Sequence, residues 1–576
     1  MGEKTKSKTL SWILRVSGKE KWNVVLLIAV QAFLGISTVL FAWLLRDCVD
    51  CAVSGNRAAF VSKAAAMVVL VALQITFRAV KRFLDEYTKS GVENCFKLRL
   101  LEQILTRDYA HITAVHSGEW LNRMTSDTVV VAEGMTTILP DMIGTSVKLI
   151  GAVAALVILV PELGYLIFPG GVLLLLFSTV FRRSLKKLHS SIQETDGKLR
   201  VLISERLASM LIVRTFAREE QTKQVAAEQM KVHRKARMKR NHFSNFCNVG
   251  LSVVMNGIYI IGLLYCGYGI LTGTVSYGSF TAVLQLIGQV QSPFANLTGY
   301  LPKFYAMLAS AERLMEVETF EKANTKEVLD LKQITQLYQT QFSAIGLKNA
   351  SFTYLPPVSE QEKDKMPVVL KNVDLRINKG ECIAFTGHSG SGKSTILKLL
   401  MSLYPLDAGE RYLEREDGQR EMLDARYTKL FAYVPQGNHL MHGSIRDAVA
   451  FANKSRMADE QSICRALEIA CGLEFVKELP EGIDTILGER GAGLSEGQMQ
   501  RIAIARAVCS DNPILVLDEA TSALDDATEQ QLINNLRNMT DKTILLVTHR
   551  PAMLEMCDRQ IVVKENHIEV IDRGNG

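Results

Sequence analysis

The run Gly387-His388-Ser389-Gly390-Ser391-Gly392-Lys393-Ser394-Thr395 has the residue types and spacing to grip a string of phosphates. It fits G-x-x-x-x-G-K-[ST]. Small residues let successive backbone N–H groups turn toward one anion, and a helix starting at the end of the loop adds its positive dipole end. Lys393 then reaches the outer phosphates, and the Ser394 hydroxyl ligates Mg²⁺. The flanks give the context this needs: Cys382 to Thr386 is an apolar run of buried-strand length, and Ile396 to Leu400 begins a helix. The alternative, a glycine-rich turn with no ligand, is disfavoured by that order of strand, loop and helix.

Two further strand ends carry chemistry. Ile514 to Leu517 is continuously apolar, as a strand covered on both faces must be, and it ends in Asp518 and Glu519. Asp518 can hold Mg²⁺ opposite the phosphate loop. Glu519 is then left to polarise the attacking water as a general base. The run Ile544 to Thr548 ends in His549, which can hydrogen-bond the terminal phosphate and position that water. A lone strand-end histidine is more often structural, and it is the neighbouring acid pair that turns the reading toward catalysis. Tyr354 closes an early strand after Phe352, so it either stacks on adenine or sits on an edge strand as a surface tyrosine.

All of these residues fall in the second half of a 576-residue chain, a length that implies two or three compact units. The first half is of another kind. A membrane-crossing helix needs about 20 mostly apolar residues. Six stretches meet or nearly meet that need, around Asn23 to Leu45, Ala64 to Phe83, Met135 to Val160, Leu163 to Phe181, Asn245 to Leu271 and Phe280 to Tyr305, several of them weaker than an isolated anchor. They contain Gln31, Gln74, Arg78, Asp141, Lys148, Asn256, Gln285 and Gln289. Such groups are costly in lipid, so they are expected to face the bundle interior or a wet cavity. Asp141 and Lys148 share one helical face, either a substrate or coupling site or residues that line a wet cavity or pair with neighbours; Gln285 and Gln289 share another before Pro293, a candidate cavity wall.

The connections set the orientation. Residues 81–127 and 182–240 are long, rich in Lys and Arg and helical in pattern, whereas 161–162 and 272–279 contain neither Lys nor Arg. The positive-inside rule puts both long segments and both termini in the cytoplasm, with the helices continuing beyond the bilayer. The basic N-terminus lacks a small-residue cleavage site and reads as a retained cytoplasmic segment. The expected organisation is therefore a cytoplasmic segment at 1–22, a six-helix membrane domain at 23–310, a polar linker at 311–341 and a nucleotide domain at 342–576. A net charge of +6 does not call for a nucleic-acid partner, and none is expected. The ten cysteines show no zinc-type spacing, and most read as free thiols; Cys48 and Cys51 are a disulfide, a metal site or two ordinary thiols.

Together these residues resemble the ABC transporter superfamily, and the whole layout resembles an ABC exporter half-transporter. Many NTPases share the phosphate loop, so the distinguishing stretch is Leu494-Ser495-Glu496-Gly497-Gln498, which is similar to the family's signature motif. Gln436 looks like the Q-loop glutamine, Ser522 to Asp525 the D-loop, His549 the switch histidine, and Glu489 part of an exporter loop that meets the membrane domain. Ser117 to Arg123 and Glu205 to Phe216 resemble the fold's cytoplasmic extensions.

The resemblance implies a membrane α-helical bundle fused to an α/β P-loop ATPase domain. It implies two ATP molecules, each held by Lys393 of one chain and by Ser495 and Gly497 of the other, with Tyr354, the loop from Gly387 to Thr395, Gln498 and Asp525 all among the nucleotide-binding residues. Ser394, Gln436 and Asp518 are the implied Mg²⁺ ligands, and Glu519, His549 and Gln436 the implied catalytic group. A second half-transporter is the implied partner, an identical copy first and a distinct chain as the alternative. ATP-driven export of an amphipathic small molecule, lipid or peptide across a cytoplasmic membrane follows, with an ATP-gated channel or sensor, or an exporter-fold importer, as the alternative. The signature usually reads Leu-Ser-Gly-Gly-Gln, and Glu496 departs from it, either weakening the attraction for nucleotide or pointing to solvent.

Overall fold

The computed structural model describes residues 3–161, 184, 187–188, 190–323, 327–355, 367–437, 440–488 and 493–572. The expected span at 163–181 and Glu489 lie outside them. The chain divides into two compact units, Met1–Leu100 with Asn122–Met315 and Leu101–Leu121 with Glu316–Gly576.

The first unit is helical. The basic N-terminus forms α1 (Glu3–Val16), which buries Trp12 and Ile13 and sets the Trp12 ring 5.5 Å from Phe96. It docks through those two side chains, while the adjacent Leu14 is exposed. Next come α2 (Glu20–Val53) and α3 (Arg57–Thr106); α3 runs on in sequence to the short α4 (Tyr109–Thr113) of the second unit. The helical run Ser117–Leu159 passes through π-turns at Arg123–Asp127 and Gly134–Ile138 before its last part, α5 (Leu139–Leu159). The long α6 (Glu219–Leu271) and α7 (Tyr277–Glu316) follow, α7 containing Pro293 and Pro302. Among the described residues, α2, α3, the 117–159 run and α6 are long and apolar enough to cross a membrane.

Without a hydrophobic drive between helices in lipid, small residues and buried polar contacts hold such bundles. A Cβ on Gly35 would lie 2.9 Å from the Gly144 carbonyl, so α2 and α5 approach backbone to backbone. Several intramembrane polar residues find partners inside the unit: Gln74 donates to Ser37 Oγ at 3.2 Å, Lys81 pairs with Asp141 at 2.8 Å, and Gln289 donates to the Thr38 carbonyl at 2.8 Å, whereas the buried Gln285 Oε1 accepts no hydrogen bond among the described residues. Arg78 and Asn256 are exposed, and Asn256 satisfies its amide on its own helix at the Ser252 carbonyl. In the first π-turn, buried Asp127 accepts from Ser310 at 2.9 Å and from two guanidinium nitrogens of Arg313.

The second unit is α/β. One antiparallel sheet, in order β2-β1-β4-β5, comprises β1 (Phe342–Thr353), β2 (Val368–Asn378), β4 (Ala408–Arg415) and β5 (Arg420–Met422). The central sheet has the order β12-β11-β3-β10-β9-β6, with β3 (Cys382–Thr386), β6 (Phe431–Val434), β9 (Ile514–Asp518), β10 (Thr543–Val547), β11 (Arg559–Lys564) and β12 (His567–Asp572). A small ladder joins β7 (Gly443–Ser444) and β8 (Ile486–Leu487). In the central sheet only β11 and β12 pair antiparallel; β6, β9, β10, β3 and β11 run parallel. Every residue of β9 and β10 is buried, which is why both read as unbroken apolar runs.

The 311–341 stretch is not all connector. Residues Leu331–Thr340 form a helix with Asp330 and Gln333 as a capping box, burying Ile334 and Tyr338. The ten cysteines are free thiols.

Candidate functional site

Parallel strands bring their carboxyl ends to one edge, where α/β sheets bind ligands. Here the register sets Val547 beside both Asp518 and Phe385, and Val434 beside Leu517, so the segments leaving β3, β9, β10 and β6 emerge together.

The loop after β3 begins at Gly387, where φ is +140° and a Cβ would sit 2.2 Å from the Val563 carbonyl; only glycine fits. The loop ends at Gly392, the N-cap of α8 (Lys393–Leu400). Lys393 is 5% exposed, and its ammonium donates to the carbonyls of Gly387 at 2.8 Å and His388 at 2.9 Å, inside the loop it closes. Burial pushes its pKa down, and the charges of Glu519 and Asp518 oppose that. The buried Ser391 hydroxyl has no hydrogen-bond partner, while His388, Ser389 and Gly390 are exposed. A buried cation held only by carbonyls beside an orphaned hydroxyl is a cradle that suits phosphate oxygens. Thr395, one turn into α8, lies 2.8 Å from the hydroxyl of half-buried Tyr354.

Across from the loop, Asp518 is 2% exposed and accepts from Ser394 Oγ at 2.9 Å and from the Tyr433 hydroxyl at 3.0 Å. Burial pushes its carboxyl pKa up, and those two hydrogen bonds pull against it. Glu519 turns off the strand with φ of +52°, a left-handed backbone that costs a non-glycine residue about 1–2 kcal/mol. Its N–H donates to the Val547 carbonyl at 3.1 Å, and its Oε2 accepts from Gln436 Nε2 at 2.7 Å. With its nitrogen so engaged, Gln436 keeps its amide oxygen for another partner. Ser394 Oγ and Asp518, bonded to each other, and the Gln436 oxygen at the neighbouring strand end are hard-oxygen donors of the kind Mg²⁺ takes together with phosphate. His549 follows β10 and is exposed, with no hydrogen bond among the described residues.

The remaining residues form a second group. Ser495 caps α9 (Glu496–Cys509) in a reciprocal box with Gln498, accepting its N–H at 3.2 Å and donating its own to Gln498 Oε1 at 2.8 Å. Glu496 is exposed. A Cβ on Gly497 would lie 2.8 Å from the Ala523 carbonyl, so the start of α9 rests on the segment after Glu519. Asp525 caps α10 (Asp526–Arg537), accepting from Thr528 N at 3.0 Å, and this bonding holds its carboxyl below the usual range. Among the described residues no hydrogen bond joins Ser495, Gly497 or Gln498 to the Lys393 cradle.

Sequence reasoning passed over the braces between these parts. Gln500, 3% exposed, donates to Ser522 Oγ at 2.9 Å and accepts from Ala523 N at 3.0 Å. Arg550 reaches Glu529 at 2.9 Å and the carbonyls of Ser522 and Leu524 at 3.1 and 3.0 Å, tying the end of β10 to the same segment. The available signals were an amide two residues before the apolar run from Ile502 to Ala505, and an arginine directly after His549.

Comparison with known proteins agrees with this architecture. Residues 24–294 match the ABC transporter transmembrane region, and residues 370–522 match the ABC transporter family. The ATP-dependent lipid A-core flippase of Mannheimia succiniciproducens is 29% identical over 520 residues, covering 88% of this chain and 85% of that protein. The Haemophilus ducreyi flippase of the same description is 27% identical over 578 residues, covering 99% and 95%. A solved bacterial Atm1-family ABC exporter with ATP bound superposes with a TM-score of 0.78 at 20% identity, covering 97% of this chain and 95% of its own.

Proposed function

The chain belongs to the ABC transporter superfamily, a transmembrane region fused to an ATPase domain, and we propose from this that it is an exporter that moves an amphipathic lipid outward as a pair of such chains. It hydrolyses ATP to drive transport. The observation that carries the reading is the linked set at the sheet edge, in which Ser394 is bonded to Asp518 and Gln436 to Glu519 beside the buried Lys393. The lipid is suggested by the relatives described as lipid A-core flippases.

In this reading the triphosphate enters the loop from Gly387 to Thr395 and supplies Lys393 with the anionic partners that carbonyls now replace. Ser394, Asp518 and Gln436 hold Mg²⁺, which when bound neutralises charge on the transferring phosphoryl group. Glu519, oriented by Gln436, takes the proton of the attacking water, and His549 steadies the terminal phosphate. Tyr354 carries the base. Ser495, Gly497 and Gln498 offer the positive end of α9 to the nucleotide of the second chain, an identical copy in the simplest assembly. Both termini and the ATPase unit lie in the cytoplasm, in keeping with the basic connections.

The test is reconstitution in liposomes with a headgroup-labelled anionic lipid whose outer-leaflet fraction is read by a membrane-impermeant quencher. ATP should change that fraction for the parent chain and not for Glu519→Gln. ATP hydrolysis without any movement of lipid or other amphiphile would replace export with a nucleotide-gated sensor.

A further inference from the structure

Tyr354 is not a free-standing aromatic. Its hydroxyl reaches Thr395 Oγ1 at 2.8 Å, and its ring meets Phe352 at 4.9 Å and Tyr404 at 5.4 Å, both nearly perpendicular at 80° and 87°. Tyr404 lies in the turn after α8, is 6% exposed, and also meets Phe352 at 5.4 Å. Its other side faces α4. The Tyr109 ring stands 5.5 Å away at 71°, and the hydroxyls of Thr113 and Tyr404 are 3.4 Å apart.

The segment bearing Tyr109 is itself anchored within the unit. Asp108 N donates to the Glu321 carbonyl at 3.0 Å, Ala323 N to the Thr106 carbonyl at 3.1 Å, and Trp120 Nε1 to the Ile112 carbonyl at 3.0 Å. His111 stacks on Phe320 at 5.6 Å. Tyr109 is thus held by several contacts against an aromatic that in turn supports Tyr354.

We propose that Tyr404 is a positioning residue for the nucleotide base: it braces the Tyr354 ring from behind and couples base occupancy to residues 101–121, the continuation of α3. The inference rests on Tyr354 carrying the base. Edge-to-face rings resist tilting because each perpendicular contact has a preferred angle. A base stacked on Tyr354 therefore loads Tyr404, and through it Tyr109. Conversely, a displacement of α4 loosens the platform while Lys393 keeps its bonds to the Gly387 and His388 carbonyls.

The experiment compares ATP with inorganic tripolyphosphate, which offers the phosphates and no base, both measured as binding to the full chain in lipid nanodiscs. Tyr404→Leu should weaken ATP about two- to tenfold, the worth of an aromatic contact, and leave tripolyphosphate unchanged. Tyr109→Ala should move ATP binding in the same direction, and Tyr404→Phe, which restores the ring, should restore affinity. Equal losses for both ligands in Tyr404→Leu would mean damage to the phosphate loop, and no loss for either would mean no bracing; each result overturns the inference. Tyr354→Ala separates the two layers. If it spares ATP binding, the base platform itself is wrong, whereas if it weakens ATP and Tyr404→Leu does not, only the bracing role falls.

Discussion

Gln436 Nε2 donates to Glu519 Oε2 at 2.7 Å across the ends of β6 and β9, strands that lie side by side in the sheet. The contact aims a carboxylate whose backbone is already turned off the strand axis into the left-handed region. A side chain held from two directions is poised, and poise is what general-base catalysis requires.

Glu519→Gln should therefore keep nucleotide binding and lose at least about a hundredfold in turnover. Phosphate release and nucleotide crosslinking on the same preparation check it. Undiminished release would remove Glu519 from the role.

Asp518 supports a pH prediction. Mg²⁺ takes the ionised carboxylate, so protonation competes with the metal, and burial has already moved the carboxyl pKa upward. The hydrogen bond from Tyr433 lowers it, so Tyr433→Phe raises it further. On acidification, Mg²⁺-dependent ATPase activity in Tyr433→Phe should fall away at a higher pH than in the parent. Superimposable acid limbs would show that Tyr433 does not act on Asp518.

Gly497 touches the Ala523 carbonyl too closely for a methyl group. Gly497→Ala should force α9 and the 522–525 segment apart, at about 1–3 kcal/mol of overpacking. Thermal unfolding should shift down, and ATPase should drop more than ATP binding does, since Gln500 and Arg550 brace this segment against the catalytic edge.

In the helical unit, Asp127 and Arg313 share an ion pair of unequal exposure, 3% for the carboxylate side chain and 46% for the guanidinium. Arg313→Ala strands a buried anion and should cost about 3 kcal/mol. Asp127→Ala leaves an arginine that can turn to water, and should cost about 1 kcal/mol. Denaturation of the two variants under one set of conditions gives the order, and the reverse order would refute the argument.

What the sequence disclosed followed the range of the interaction. The phosphate loop, Asp518, Glu519 and His549 stand at strand ends that short apolar runs announce, and the register of β3, β10, β9 and β6 brings those ends together. Long apolar helices were legible for the same reason, since burial in lipid leaves a continuous trace. The capped helix at Leu331–Thr340 was hidden because only Ile334 and Tyr338 are buried and the rest reads as polar connector. The bracing by Gln500 and Arg550, and the association of residues 101–121 with the ATPase unit, depend on partners far away in the chain. No local pattern encodes them.

That association matters to anyone who would excise the catalytic half. A fragment cut at the start of β1 would leave behind Tyr109, Thr113 and Phe320, baring the flank of Tyr404 to solvent. Such a fragment should be adhesive and prone to self-association, and its nucleotide affinity would describe a truncated artefact. Extending the fragment back to Glu316 and supplying residues 101–121 as a separate peptide should restore solubility, so the smallest faithful ATPase module is discontinuous in the gene.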